Sequence, residues 1–133
     1  MAVTRFGVSL DEEVLKQLDK YVVDNNFPNR SQAIRKIFEN SLIEKKWKSD
    51  QLVAGAVILL YDHHKGDVTT RLNDLQHDYF EVILSTQHFH LDHDNCLEII
   101  AVKGSAIILT QLADKLIGLK GISHGKLVMS SAD

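Results

Sequence analysis

His88-Phe89-His90-Leu91-Asp92-His93-Asp94-Asn95-Cys96 lies where two apolar runs meet, Phe80 to Leu91 and Leu97 to Val102. Runs of this kind read as β-strands. Alternate residues of a strand share a face, so His88 and His90 point the same way. A tight turn between the two runs brings Cys96 back beside them. Two imidazoles and a thiol then offer three donors to a transition-metal ion, and the offer exists only if the stretch folds as a hairpin.

The flanking sequence extends that hairpin into a domain. Leu52 to Tyr61 is nearly continuous in apolar residues and reads as a well-buried strand. Asp62 to Asp67 is polar and turns. Val68, Leu72, Leu75 and Tyr79 recur at helical spacing. After the hairpin, Lys103-Gly104 is expected to turn into a helix bearing Ile108, Leu112, Ala113 and Leu116, ended by Gly118 to Gly121. Ile122 to Met129 reads as a last strand. The order βαββαβ is the ferredoxin-like arrangement of an α+β fold. Its two helices cover one face of the sheet, and the other face needs a cover, most simply another subunit.

Residues 1–48 read differently. Phe6, Val8 and Leu10 alternate with Arg5, Gly7 and Ser9, as in a short half-buried strand. Asp11-Glu12-Glu13 suits the positive end of a helix, and Val14, Leu15, Leu18, Tyr21 and Val22 continue it. Asn29 with Gln32 has the form of a capping box for a second helix, expected to reach about Trp47. A single strand leaves its ladder groups unpaired, and so small a unit buries little surface. Two copies pairing their strands and interlocking their helices remove both difficulties. The domains are therefore expected at 1–49 and 50–133, with Trp47 packing at the junction.

Composition is that of an ordinary globular chain, 44% hydrophobic and 25% charged. No run has the length of a membrane span. Met1-Ala2-Val3-Thr4-Arg5 lacks the layout of a signal peptide, and the single cysteine, which has no partner within the chain, suits a reducing compartment. A cytoplasmic protein is expected. Residues 1–48 carry nine Lys/Arg against seven Asp/Glu, and the remainder six against eleven. That balance suits an anion-facing first part, although chance scatter would also produce it.

A thiolate with imidazoles accommodates Zn, Cu, Ni or Co. Structural zinc sites are richer in cysteine, commonly with C-x-x-C spacing, which is absent. The candidates for a fourth ligand are His63, His64, His77, His93 and His124. His77 falls at the end of a helix, where a neighbouring copy could receive it, whereas His93 lies inside the loop. His64, His93 and His124 read as surface or packing residues. The residues alone specify a transition metal and no particular element.

Two resemblances sharpen this reading. R-F-x-V-S-L, L-x-x-L-D and N-R-S-x-A-I-R in residues 5–35 resemble the ribbon-helix-helix family of DNA-binding proteins. The resemblance implies that Arg5 and Ser9 touch base edges, and that the amides near Asn29, Arg30 and Ser31 hold a phosphate. Gly7, between the two base-reading positions, departs from the usual small polar residue and has no side chain to read a base. Over nearly the whole chain, L-Q-H-x-Y, H-x-H-x-x-x-x-x-C-L-E and L-x-G-x-K-G-I-x-H-G-K-L resemble the nickel-responsive transcriptional regulators, which join a ribbon-helix-helix domain to an ACT-like metal-binding domain.

That resemblance implies one square-planar Ni(II) per subunit, held by His88, His90 and Cys96 of one subunit and His77 of another. It implies a homotetramer, a dimer of dimers, that binds double-stranded operator DNA and represses nickel uptake genes. Gln76 and Glu98 would orient ligands through hydrogen bonds. Tyr61 and His63, at a strand end, would line a lower-affinity or DNA-bound arrangement. Gln32 and Lys36 stand where family members commonly carry an acidic pair that helps bind an alkali cation, and the Lys36 ammonium would supply that charge itself. Two other classes remain: an ACT-type regulator sensing an amino acid or another transition metal, and an enzyme with Cys96 as nucleophile and His88 or His90 as base. The second lacks any recognisable oxyanion device or orienting group, so a non-enzymatic protein is expected.

Overall fold

The computed structural model describes residues 2–133. They divide into two compact units, one ending at Ser41 and the other running Leu42–Asp133, with the division falling inside a helix.

In the first unit, α1 spans Glu12–Asp24 and α2 starts at Arg30. Asp11 caps α1 by accepting the Val14 N–H at 2.9 Å. Asn29 caps α2 in the same way, accepting the Gln32 N–H at 2.9 Å. Between them Asn26 takes a positive φ of 59°, tolerable for asparagine. The Arg30 guanidinium grips both oxygens of Asp19 at 2.7 and 2.9 Å and so ties α2 to α1. Tyr21 stacks on Phe27. Residues 2–10 carry no strand. The strand expected over Arg5–Leu10 has no ladder partner among the described residues of its own chain, and a lone strand cannot satisfy its backbone groups. Among the described residues of this unit only Ala33 is fully buried, while Phe6 is 78% and Phe38 62% exposed.

The second unit holds the end of α2, which runs to Lys48, and then β1 (Leu52–Asp62), α3 (Val68–Asp78), β2 (Ile83–His90), β3 (Asn95–Ser105), α4 (Ala106–Ile117) and β4 (Ile122–Ser131). The strands form one antiparallel sheet in the order β2-β3-β1-β4, the ferredoxin-like order. Val53, Val57, Leu59 and Tyr61 of β1 alternate inward with Ile100 and Val102 of β3, and Leu72, Leu109, Leu112 and Leu116 close over them. Trp47 is buried in the same core, its indole N–H donating to the Ser130 carbonyl at 2.9 Å. Asp50 receives the Ile107 N–H at 2.9 Å, and so helps to start α4.

Three local expectations need correction. Phe80–Val82 is a 3-10 turn, so β2 begins only at Ile83. Lys103-Gly104 stays in β3, because the missing side chain of Gly104 lets Val82 approach: a Cβ there would meet Val82 Cγ1 at 2.8 Å. In α4 the inward residue is Leu109, while Ile108 is 37% exposed. Since the strand runs longer, the helix starts later and its buried stripe is set by Ala106. Gly121 takes a φ of 103° against Val68 and turns the chain into β4.

The sheet's second face carries Ile58, Leu60, Leu97 and Ile99, only half-buried, beside Phe89. Nothing in the second unit covers them.

Candidate metal centre

Register places the donors. In β2 and β3, His88 lies opposite Glu98 and His90 opposite Cys96, while Tyr61 of β1 lies opposite Cys96 from the other side. All five therefore stand on the helix-covered face, near the end of the sheet where β2 forms an edge. Cys96, Glu98 and Tyr61 are buried, and His88 and His90 remain reachable from solvent.

The turn joining β2 to β3 is held by one carboxylate. Asp92 accepts the Asp94 and Asn95 N–H groups at 2.9 and 2.8 Å, and the Asn95 side-chain amide as well. These bonds, the Asn95 backbone bond foremost, hold the Asp92 carboxyl below its ordinary value.

Cys96 Sγ lies 3.5 Å from His90 Nδ1 and 3.3 Å from His63 Nδ1. An ion at roughly 2.0–2.3 Å from each donor would set nitrogen and sulfur about 3–3.6 Å apart, so these separations fit shared ligation. His63, His90 and Cys96 offer donor atoms all within 4.8 Å of one another. His88 stands next to this group, its ring centroid 5.0 Å from that of His90. His77 is exposed on α3 with its ring against Phe80, and among the described residues it belongs to no donor cluster of its own chain.

A polar chain, buried at Tyr61 and Glu98 and open at Thr86, runs behind the donors. The Tyr61 hydroxyl donates to Glu98 Oε1 at 3.0 Å, the Gln76 amide donates to Glu98 Oε2 at 2.8 Å, and Thr86 Oγ1 donates to Gln76 Oε1 at 2.8 Å. His88 Nδ1 is 3.3 Å from Glu98 Oε1 and 3.1 Å from the Tyr61 hydroxyl. An ionised carboxylate only accepts, and the Tyr61 proton is already committed to it. The His88 proton therefore sits on Nδ1, which leaves the Nε2 lone pair free for a ligand role. Burial first, then the nearby Glu98 charge, raises the Tyr61 phenol well above its usual range, so it remains a donor. Burial, with the charges of Asp62 and Glu98, likewise raises the Cys96 thiol. Metal-free, the site holds a protonated thiol, and binding a cation expels that proton. Thiol, imidazoles and an orienting carboxylate make a donor set that fits a borderline-soft divalent ion.

Arg5, Gly7 and Ser9 lie in the exposed N-terminal stretch, and Asn29, Arg30 and Ser31 open α2. The Arg30 side chain is engaged by Asp19, so the group α2 presents there is backbone N–H. Gln32 is half-buried, whereas Lys36 and His124 are exposed. Two contributors escaped the sequence reading. Thr86 could have been found, since it shares a strand face with His88. Nothing in the pattern announced Asp92 as the residue that sets the turn.

The NikR C-terminal nickel-binding domain family matches residues 54–130. Relatives named "Putative nickel-responsive regulator" match along almost the full length. One from Syntrophus aciditrophicus is 51% identical over 96% of this chain and 93% of its own, and one from Chlorobium phaeobacteroides is 47% identical over 98% of each. One from Thermococcus kodakarensis is 44% identical over 98% of this chain and 95% of its own. An uncharacterized protein of Thermotoga maritima has a similar fold, with TM-score 0.54 and 16% identity over 59% of this chain and 98% of its own. With the family's nickel-binding domain matched across the sheet that carries His88, His90 and Cys96, the chain belongs to the nickel-responsive regulator family.

Proposed function

We propose that this protein is a nickel-responsive transcriptional regulator that binds operator DNA through residues 1–49 and senses Ni(II) through residues 50–133. The observation that carries the reading is the buried Cys96 thiol beside His90, with His88 turned by Glu98 so that its Nε2 is free. The site takes one Ni(II) per subunit through His88, His90 and Cys96, with His77 arriving from a second copy. The exposure of His77, away from its own chain's donors, supports that role. The apolar second face of the sheet supports a subunit contact there, and the near-absence of buried residues in the first unit supports an obligate dimer. Four copies then form a dimer of dimers, and paired strands over Arg5–Leu10 present Arg5 and Ser9 to the major groove.

Ni(II) bound across two copies links their side chains. Tyr61, Gln76 and Glu98 hold His88 in its tautomer. Binding differs in free energy between arrangements of the subunits, and only that difference can favour the one that grips DNA. Repression of nickel uptake genes follows if the operators overlap their promoters. In gel shifts on uptake-gene promoter DNA, Ni(II) should tighten specific binding by the wild-type protein. Cys96→Ala should keep only salt-sensitive nonspecific binding. Unchanged nickel-dependent binding by Cys96→Ala would refute the reading.

A further inference from the structure

The end of α3 carries a large apolar side chain that neither the core nor the donor set uses. Phe80, the first residue of the 3-10 turn Phe80–Val82, is 65% exposed. Its ring stacks on that of His77, with centroids 6.3 Å apart and planes tilted by 27°. The spacing explains the meeting. The Tyr79 N–H reaches the Gln76 and His77 carbonyls, and the Val82 N–H reaches the Tyr79 carbonyl. The chain therefore keeps turning past α3, and residues three apart stay on one side.

The backbone beneath the pair is held from within. Leu72 is buried, and Leu75 and Tyr79 pack against the core. Lys115 of α4 donates to the Tyr79 hydroxyl at 2.9 Å, and the Gln76 amide donates to Glu98 Oε2 at 2.8 Å. On this fixed base His77 keeps only its side-chain torsions, and the Phe80 ring closes off part of their range. An unsupported imidazole at a helix end loses that freedom on meeting an ion, whereas one already resting on a ring loses less. The contact also strengthens on ligation. A metal ion draws electron density out of the imidazole, and the face of the Phe80 ring is negative.

We infer that Phe80 is a positioning residue for nickel, a role that rests on the proposed donation of His77 to a second copy: its ring holds the His77 imidazole ready for the shared ion. Phe80 has no donor atom of its own and acts only through His77.

Two measurements on the untagged full-length protein test this. In metal-free protein with labelled histidine rings, the His77 ring resonances, identified by their loss in His77→Ala, should shift in Phe80→Leu and stay in place in Phe80→Tyr. In Ni(II) titrations, Phe80→Leu should bind roughly 3- to 10-fold more weakly, and should keep the thiolate-to-nickel charge-transfer band. Phe80→Tyr should restore wild-type affinity, and in a His77→Ala background Phe80→Leu should have no further effect. Unmoved His77 resonances, or an effect of Phe80→Leu that persists without His77, would overturn the assignment. So would a changed assembly state of metal-free Phe80→Leu in light scattering, which would make the ring a subunit contact instead. Unchanged affinity in Phe80→Leu beside a weakened His77→Ala would sink the role of Phe80 alone, whereas wild-type affinity in His77→Ala would sink it together with the ligand role of His77.

Discussion

The two units solve the burial problem in opposite ways. Leu42–Asp133 closes a core of its own, with Tyr61, Leu72, Leu109, Leu112 and Leu116 essentially inaccessible. The unit ending at Ser41 leaves Phe6, Val8, Leu10 and Phe38 open around a groove also lined by Leu15, Leu18 and Ile34. The difference teaches what a second copy contributes in the proposed assembly. There it covers a face of the sheet unit and completes a ligand set, and it gives the helical unit a core.

The contrast breaks most readily in urea. Leu112→Ala, within the closed core, should cost about 2–5 kcal/mol, by the same amount at any protein concentration. Phe6→Ser should lower stability through a midpoint that moves with protein concentration. A concentration-independent effect of Phe6→Ser, or none, would show that the first unit is stable alone.

A smaller effect sharpens the sheet unit's side. Glu98→Gln keeps the size of the side chain but removes the carboxylate that fixes the His88 proton. Nickel affinity should fall roughly 10- to 100-fold, as when other second-layer partners of metal ligands are removed. Followed against pH, wild-type affinity should rise about tenfold per unit while the thiol is still protonated, since one proton leaves per ion bound. The raised Cys96 value also has a stability sign. Its contribution is complete below the thiol's ordinary value of 9.0 and is lost as pH rises through the folded value. Metal-free protein should therefore weaken in alkali, and Cys96→Ala should flatten that slope in thermal melts.

The least effect belongs to the helical unit. Asp19→Asn frees Arg30, but both side chains are about half exposed. The shift in the urea midpoint should be barely resolvable, as for solvent-screened ion pairs in general, and a clear loss would mean that the pair is shielded in the assembled protein.

Much of the sheet unit was legible because strand alternation and helical spacing both respond to one buried face. The strands that carry Val57, Leu59 and Tyr61 and Ile100 and Val102 were readable from apolar runs alone, though not their pairing. The errors fell where a backbone detail overrules the pattern. Gly104 stays in its strand because Val82 needs the room, and Leu109 replaces Ile108 because the strand runs on to Ser105 before the helix starts.

By themselves, the residues determined the α+β order, the hairpin that brings His88, His90 and Cys96 to one face, and the caps at Asp11 and Asn29, because each depends on neighbours close in sequence. Only the tertiary structure decided that His63 meets Cys96 across 33 positions, and that Tyr61 and Gln76 converge on Glu98. Those meetings depend on strand register and on where two turns come together, and periodicity along a chain carries no record of distance across it.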